Sequence, residues 1–163
     1  MKTLADHLIQ YAHYHRDQRN IYTHFVGIPL IVIALFSLLS FEISAGITAT
    51  HLLLASSLLF YFYLSLSMGL VMLGFSASCY ALALQLVALD SSAAWLGWSV
   101  AVFVLGWVLQ FIGHYFEGKK PAFVDDLVGL LIGPLFVMAE VLFLLGFAKS
   151  LQQQIEQGAG PVH

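Results

Sequence analysis

LLLASSLLFYFYLSLSMGLVMLGFSASCYALALQLVAL, residues 52–89, runs for 38 positions without one Asp, Glu, Lys or Arg. A helix needs about 20 mostly apolar residues to cross a hydrocarbon core of about 30 Å, so the stretch is long enough for two crossings. Ser65, Ser67 and Gly69 offer a turn between them. The reading is a helical hairpin in a bilayer, with segments 52–68 and 70–89.

The rest of the chain agrees. Residues 25–41, 93–113 and 127–147 are also apolar and nearly free of charge, which predicts an all-α, polytopic membrane bundle of about five segments in a single domain, 1–163. Hydrophobic residues make up 60% and charged residues 9% of the chain, against about 25% charged in an ordinary soluble domain. Residues 1–24 read as an interfacial helix, with Gly27 and Pro29 opening the first span. They carry Lys2, Asp6, Arg16, Asp17 and Arg19 rather than a short basic start and an apolar core, so no cleaved leader is expected. The segment from Phe41 to Thr50 reads as a loop, Asp90, Ser91 and Ser92 as a turn, and residues 150–163 as a frayed polar tail.

Basic residues set the orientation. Lys2, Arg16 and Arg19 precede the first span and Lys119 and Lys120 follow the fourth, while the loops at 42–51 and 90–92 hold no Lys or Arg. The N-terminus and the 114–126 loop are therefore expected on the cytoplasmic side of a bacterial inner membrane or the endoplasmic reticulum. Gly133 and Pro134 interrupt the last segment, which leaves a full crossing and a kinked or re-entrant helix both open. No basic patch speaks for nucleic acid, and Cys79, the one cysteine, sits in an apolar run where packing is its expected role.

Chemistry is confined to two polar clusters. YAHYHRDQRNIYTHFVGIP, residues 11–29, supplies His13, His15, Asn20 and His24, and QFIGHYFEGKKPAFVDD, residues 110–126, supplies Gln110, His114, Glu117, Asp125 and Asp126. Imidazole and carboxylate are the ligands that suit non-haem iron or zinc, and the expected topology puts both clusters on one membrane face. At about 100° per residue, His114 and Glu117 share a helix face, as do Asn20 and His24. A straight helix would add His13 to that face and turn His15 away, whereas a bend would admit His15. His7, His51 and His163 read as headgroup-level residues, and Tyr11, Tyr14, Tyr22, Trp95 and Trp107 as interface or packing residues. Glu140, deep in the last apolar segment, is either functional or a protonated carboxyl bonded to a neighbouring helix. A phosphate loop, a GxSxG elbow, an HExxH helix and the paired histidines of HxxHH boxes are all absent.

The stretches YHRDQRNIYTHFVGIPL at 14–30, WVLQFIGHYFEGKKPAFVDDL at 107–127 and IGPLFVMAEVLF at 132–143 resemble a family, the membrane 2-hydroxy fatty acid dioxygenases related to the yeast enzyme of phytosphingosine breakdown. The combination of H-x4-N-x3-H-x2-G-x-P with Q-F-x-G-H and K-P-A carries the likeness. It implies an iron(II) enzyme that uses O2 to shorten a 2-hydroxy fatty acid by one carbon, with membrane lipids around it and a homo-oligomer allowed. Residue by residue, the likeness places His15, Asn20 and His24 in the first motif and Gln110, His114, Glu117, Lys120 and Pro121 in the second. His15, His24 and His114 would hold the iron, Glu117 would be a fourth ligand or a support, and Asn20 and Gln110 would line the cofactor. The competing readings are a non-enzymatic carrier or lipid-binding scaffold, and a zinc-dependent membrane hydrolase.

Overall fold

The computed structural model describes residues 2–88, 94–124 and 126–163; the expected turn at Asp90, Ser91 and Ser92, and the candidate ligand Asp125, lie outside them. Among the described residues there are seven α-helices: α1 (Leu4–Ala12), α2 (Gln18–Leu38), α3 (Ala49–Leu64), α4 (Leu66–Ala88), α5 (Ala94–Glu117), α6 (Gly129–Leu144) and α7 (Lys149–Ala159). They form two compact units, Met1–Ile28 with Val108–His163, and Pro29–Trp107.

Helices α2, α4 and α5 are long and apolar enough to cross a membrane, and α6 with α7 would make a fourth span if that bent pair counts as one. By length and composition, three or four candidate spans stand among the described residues beside the five segments expected. α3 is a shorter apolar helix of 16 residues, about 24 Å long, and the even number of crossings that keeps both polar clusters on one membrane face requires it to cross with α2, α4 and α5.

In the first unit, Thr3 and Asp6 start α1 with a capping box: the Thr3 hydroxyl accepts from the Asp6 amide at 3.2 Å, and the Asp6 carboxylate accepts from the Thr3 amide at 2.8 Å. α1 stops at Ala12, and residues 13–17 form a break rather than continuing one interfacial helix to residue 24. α6 runs unbroken through Gly133 and Pro134. The interruption expected there falls instead at residues 145–148, where Gly146 (φ 83°) and Ala148 (φ 50°) take left-handed backbone, and α6 and α7 meet at 117°. α7 itself was expected as frayed tail. It is a helix because one face buries Ile155 and because Gly158 lies flat on Ile9 of α1, where a Cβ would come within 2.7 Å of the Ile9 methyl.

The second unit holds the expected hairpin of α3 and α4, broken at Ser65. Phe36, Cys79 and Ala83 are its buried core, so the cysteine does pack. Pro29 was expected at the start of a span but sits inside α2, a position that membrane helices tolerate. The expected loop after α2 is a small hairpin of β1 (Glu42–Ser44) and β2 (Ile47–Thr48). Ala45 and Gly46 turn it with positive φ of 46° and 79°, the backbone that tight hairpins require. His51 follows: its Nδ1 accepts from the Thr48 amide and its Nε2 meets the Tyr80 hydroxyl, both at 3.0 Å. That accounts for His51 as a structural residue.

Candidate metal centre

The break at 13–17 decides which histidine points inward. With α1 ended, the chain is free of the 100° helical phase, so His13 is exposed while His15 is fully buried. His24 lies in the second turn of α2 and His114 in the last turn of α5, both buried. One ring nitrogen from each of His15, His24 and His114 lies within 4.8 Å of the others. The ring centroids are 4.5, 4.8 and 5.1 Å apart, and the planes meet nearly edge to face. The two distant clusters do meet, and the structure gathers His15 rather than His13.

Two of the rings are anchored from behind. His15 Nδ1 donates to the Tyr11 carbonyl and His24 Nδ1 to the Asn20 carbonyl, each at 2.8 Å. Each Nε2 is then a bare lone pair, and the two Nε2 atoms face each other at 3.1 Å. Such a pair repels unless a cation or proton lies between. Burial, reinforced by the neighbouring His24 and His114, drives the His15 pKa well below its usual value and so disfavours the proton. The donor set therefore fits a resident ion, and imidazole suits iron, zinc, copper and nickel.

The neighbouring groups hold these rings. Tyr11 stacks flat on His15, with centroids 4.1 Å apart and 2° between planes, and Phe136 of α6 closes on both rings. Glu117 accepts from the Arg16 amide at 3.0 Å, the Asp17 amide at 2.8 Å and Asn20 Nδ2 at 3.0 Å. Its carboxylate thus caps the entry to α2, where peptide dipoles favour negative charge. Asn20 Nδ2 also donates to the Tyr14 carbonyl at 3.0 Å. Asp17 turns its own carboxylate to Arg19, 2.6 Å away, which holds it down at about 2.

Close approach of α5 to α2 depends on Gly113, where a Cβ would collide with Thr23 Oγ1 and Asn20 Oδ1. Gly133 lets α6 in similarly, since a Cβ there would lie 3.0 Å from the Tyr11 hydroxyl. Gln110, one turn before His114, is buried, and its Nε2, Asn20 Oδ1 and His114 Nδ1 are buried without a hydrogen-bond partner among the described residues. Asp126 lies apart, 3.7 Å from Lys2, and Lys119 Nζ donates to the His13 carbonyl at 2.7 Å.

Arg16 was read only as a topology determinant. It is buried, and it lies 3.5 Å from Glu140. Glu140 is thus the partner of an arginine, which neither sequence-based reading anticipated. The signal was present, because a carboxylate in an apolar helix calls for a cation.

A family profile described as 2-hydroxy-palmitic acid dioxygenase Mpo1-like matches residues 1–145, and the chain belongs to that Mpo1-like family. Over 150 residues it is 33% identical to the 2-hydroxy-palmitic acid dioxygenase MPO1 of Saccharomyces cerevisiae, across 90% of this chain and 83% of the yeast protein. No solved structure matches the chain. The resemblance drawn from residues 14–30 and 107–143 is thereby shown.

Proposed function

We propose that this protein is an iron(II)-dependent dioxygenase that shortens 2-hydroxy fatty acids by one carbon. The observation that carries the reading is the convergence of His15, His24 and His114, from motifs about 90 residues apart, with the Nε2 atoms of His15 and His24 turned toward each other. The relative's printed name supplies the substrate class.

The stoichiometry is self-contained. Losing the carboxyl as CO2 while the hydroxyl-bearing carbon becomes a new carboxyl releases four electrons. One O2 accepts four electrons, so the 2-hydroxy acid and O2 give the shorter acid, CO2 and water with no outside reductant or cosubstrate.

His15, His24 and His114 would hold the iron, which supplies the oxygen activation that side chains alone lack. Glu117 and Asn20 act behind the ligands by fixing the start of α2. Gln110 stands one turn before His114 on α5, and its buried Nε2, without a partner among the described residues, is a donor for the polar head of the substrate. The acyl chain would stay in the bilayer beside exposed apolar residues of α5 such as Val108 and Phe111. Burial of the three rings keeps bulk water from the reacting carbon.

Purified protein loaded with iron(II) should consume O2 and release CO2 in equal amounts when given 2-hydroxypalmitate, and should do neither with palmitate. O2 uptake without CO2, or turnover by zinc-loaded protein, would refute the assignment. Tight binding of the acid without turnover under any metal would favour a lipid-binding scaffold.

A further inference from the structure

In the break that carries His15, the Tyr14 and His15 amides still turn back to the Tyr11 and Ala12 carbonyls at 3.1 and 2.9 Å, but the Arg16 and Asp17 amides bond to Glu117 instead of to a helix, so the shape of this end depends on contacts from outside. Several of those contacts converge on Arg16. Its amide donates to Glu117, and its Nε donates to the Ala12 and His15 carbonyls at 3.1 and 2.8 Å. The remaining contacts come from the far end of the chain. Arg16 Nη1 donates to the Gly160 carbonyl at 3.0 Å, the His163 amide donates to the Arg16 carbonyl at 3.0 Å, and the Gln18 amide donates to the His163 carbonyl at 2.9 Å. The last two bracket Asp17 in the pattern that joins neighbouring parallel strands, and one of them lies on the carbonyl of the residue next to His15.

The gripping segment is itself anchored. Ile155 is buried, and Gly158 sits against Ile9 too closely for any side chain. Glu140, at 3.5 Å, holds the guanidinium from the α6 side. Residues 146–163 lie beyond the family profile, which ends at residue 145.

We propose that Lys149–His163 is a strap for the metal centre: by gripping Arg16 through the backbone of Gly160 and His163, it fixes the break that presents His15 and so sets how firmly the ion is held. Arg16 is a positioning residue in this scheme. The proposal rests on the reading of His15, His24 and His114 as ligands.

The test uses the chain in detergent micelles, loaded with Co(II) as a spectroscopic probe, with the rate of metal transfer to a chelator as the readout. Ending the chain at Ala159 should leave one ion bound at saturation, shift the visible cobalt bands and speed release at least about tenfold, the lower end of what supporting residues contribute. Arg16→Lys, which keeps the charge beside Glu140 but loses the forked contacts, should move the same readouts in the same direction. Gly158→Val, which forces α7 off Ile9 with every strap residue present, replaces the shortened chain if that fails to fold. Met72→Ala, a core change in the other unit, supplies a destabilised control with unaltered cobalt bands and release. Wild-type protein that takes up no metal overturns the ligand set and the strap with it. Wild-type bands and release rates in the strap and Arg16 variants, or changes no larger than those of Met72→Ala, overturn the strap alone.

Discussion

The Nε2 atoms of His15 and His24 face each other at 3.1 Å, and the opposite nitrogen of each ring is tied to a carbonyl four residues earlier. Nine residues separate the two histidines in sequence, a spacing that a straight helix would turn to opposite sides. The break at 13–17 removes that constraint, and both rings act as oriented donors to one point.

Single changes of His15, His24 or His114 to Ala should each abolish stoichiometric iron binding and turnover. His13→Ala and His51→Ala should do neither, since His13 is exposed and His51 caps α3. Metal analysis of the five variants decides it, and loss of iron in His13→Ala with retention in His15→Ala would reverse the assignment.

Glu117→Gln should weaken iron affinity by about 10–100-fold without removing the site, the range typical of groups that orient ligands. The reason is that the amide turns a donor toward the Arg16 and Asp17 N–H groups that the carboxylate now satisfies. A metal titration showing no binding at any iron concentration would instead make Glu117 a ligand.

Gly113→Ala places a methyl against Thr23 Oγ1 and Asn20 Oδ1. Overpacking of this kind costs about 1–3 kcal/mol, so the variant should melt lower and hold less iron, and Thr23→Ala in the same chain should recover part of both. Wild-type melting of the single variant would mean that α5 and α2 are not held as closely as the structure shows.

Acid should destabilise the metal-free protein. Because burial drives His15 below 6.5, the unfolded chain binds a proton that the folded chain refuses, and stability rises with pH wherever the unfolded state holds more protons. The contribution is fully present above about 6.5 and is lost as pH falls below it. Unfolding midpoints between pH 7.5 and 5.5 should therefore drop in the wild type and drop less in His15→Gln; equal slopes would remove His15 as the source.

In a Cys79→Ser background, cysteines at Gln18 and Lys119 should react with an impermeant reagent from one side of the membrane and a cysteine at Glu42 from the other. Labelling of 18 and 119 from opposite sides would contradict a shared site.

The apolar helices and the turn at Ser65 were legible because membrane segments declare themselves by length and lack of charge. The two polar clusters were legible for the converse reason, being nearly the only places where ionisable residues gather. Helical phase alone chose His13 and was misled by a break that no glycine or proline marks. The partnership of Arg16 with Glu140 was hidden because it joins residues 124 apart, and neither local pattern names its partner. α7 was passed over because its one buried residue is Ile155, helped by the contact of Gly158 with Ile9, too slight a stripe to stand out among Gln152, Gln153 and Gln154. Pro29 inside α2 shows the same limit: a rule for helix starts was applied where the bilayer permits an exception.

The unit that carries the histidines is assembled from the two ends of the chain, residues 1–28 and 108–163, with the other unit inserted between them. During synthesis the first two histidines emerge some 90 residues before the third, and contacts of such long sequence separation form late. An ion met by the nascent chain finds two of the three proposed ligands. On the proposed ligand set, metal capture is therefore a closing event in biogenesis, which waits until α5 has been made and its Gly113 has seated on Asn20, and a chain stalled before residue 114 lacks the third histidine.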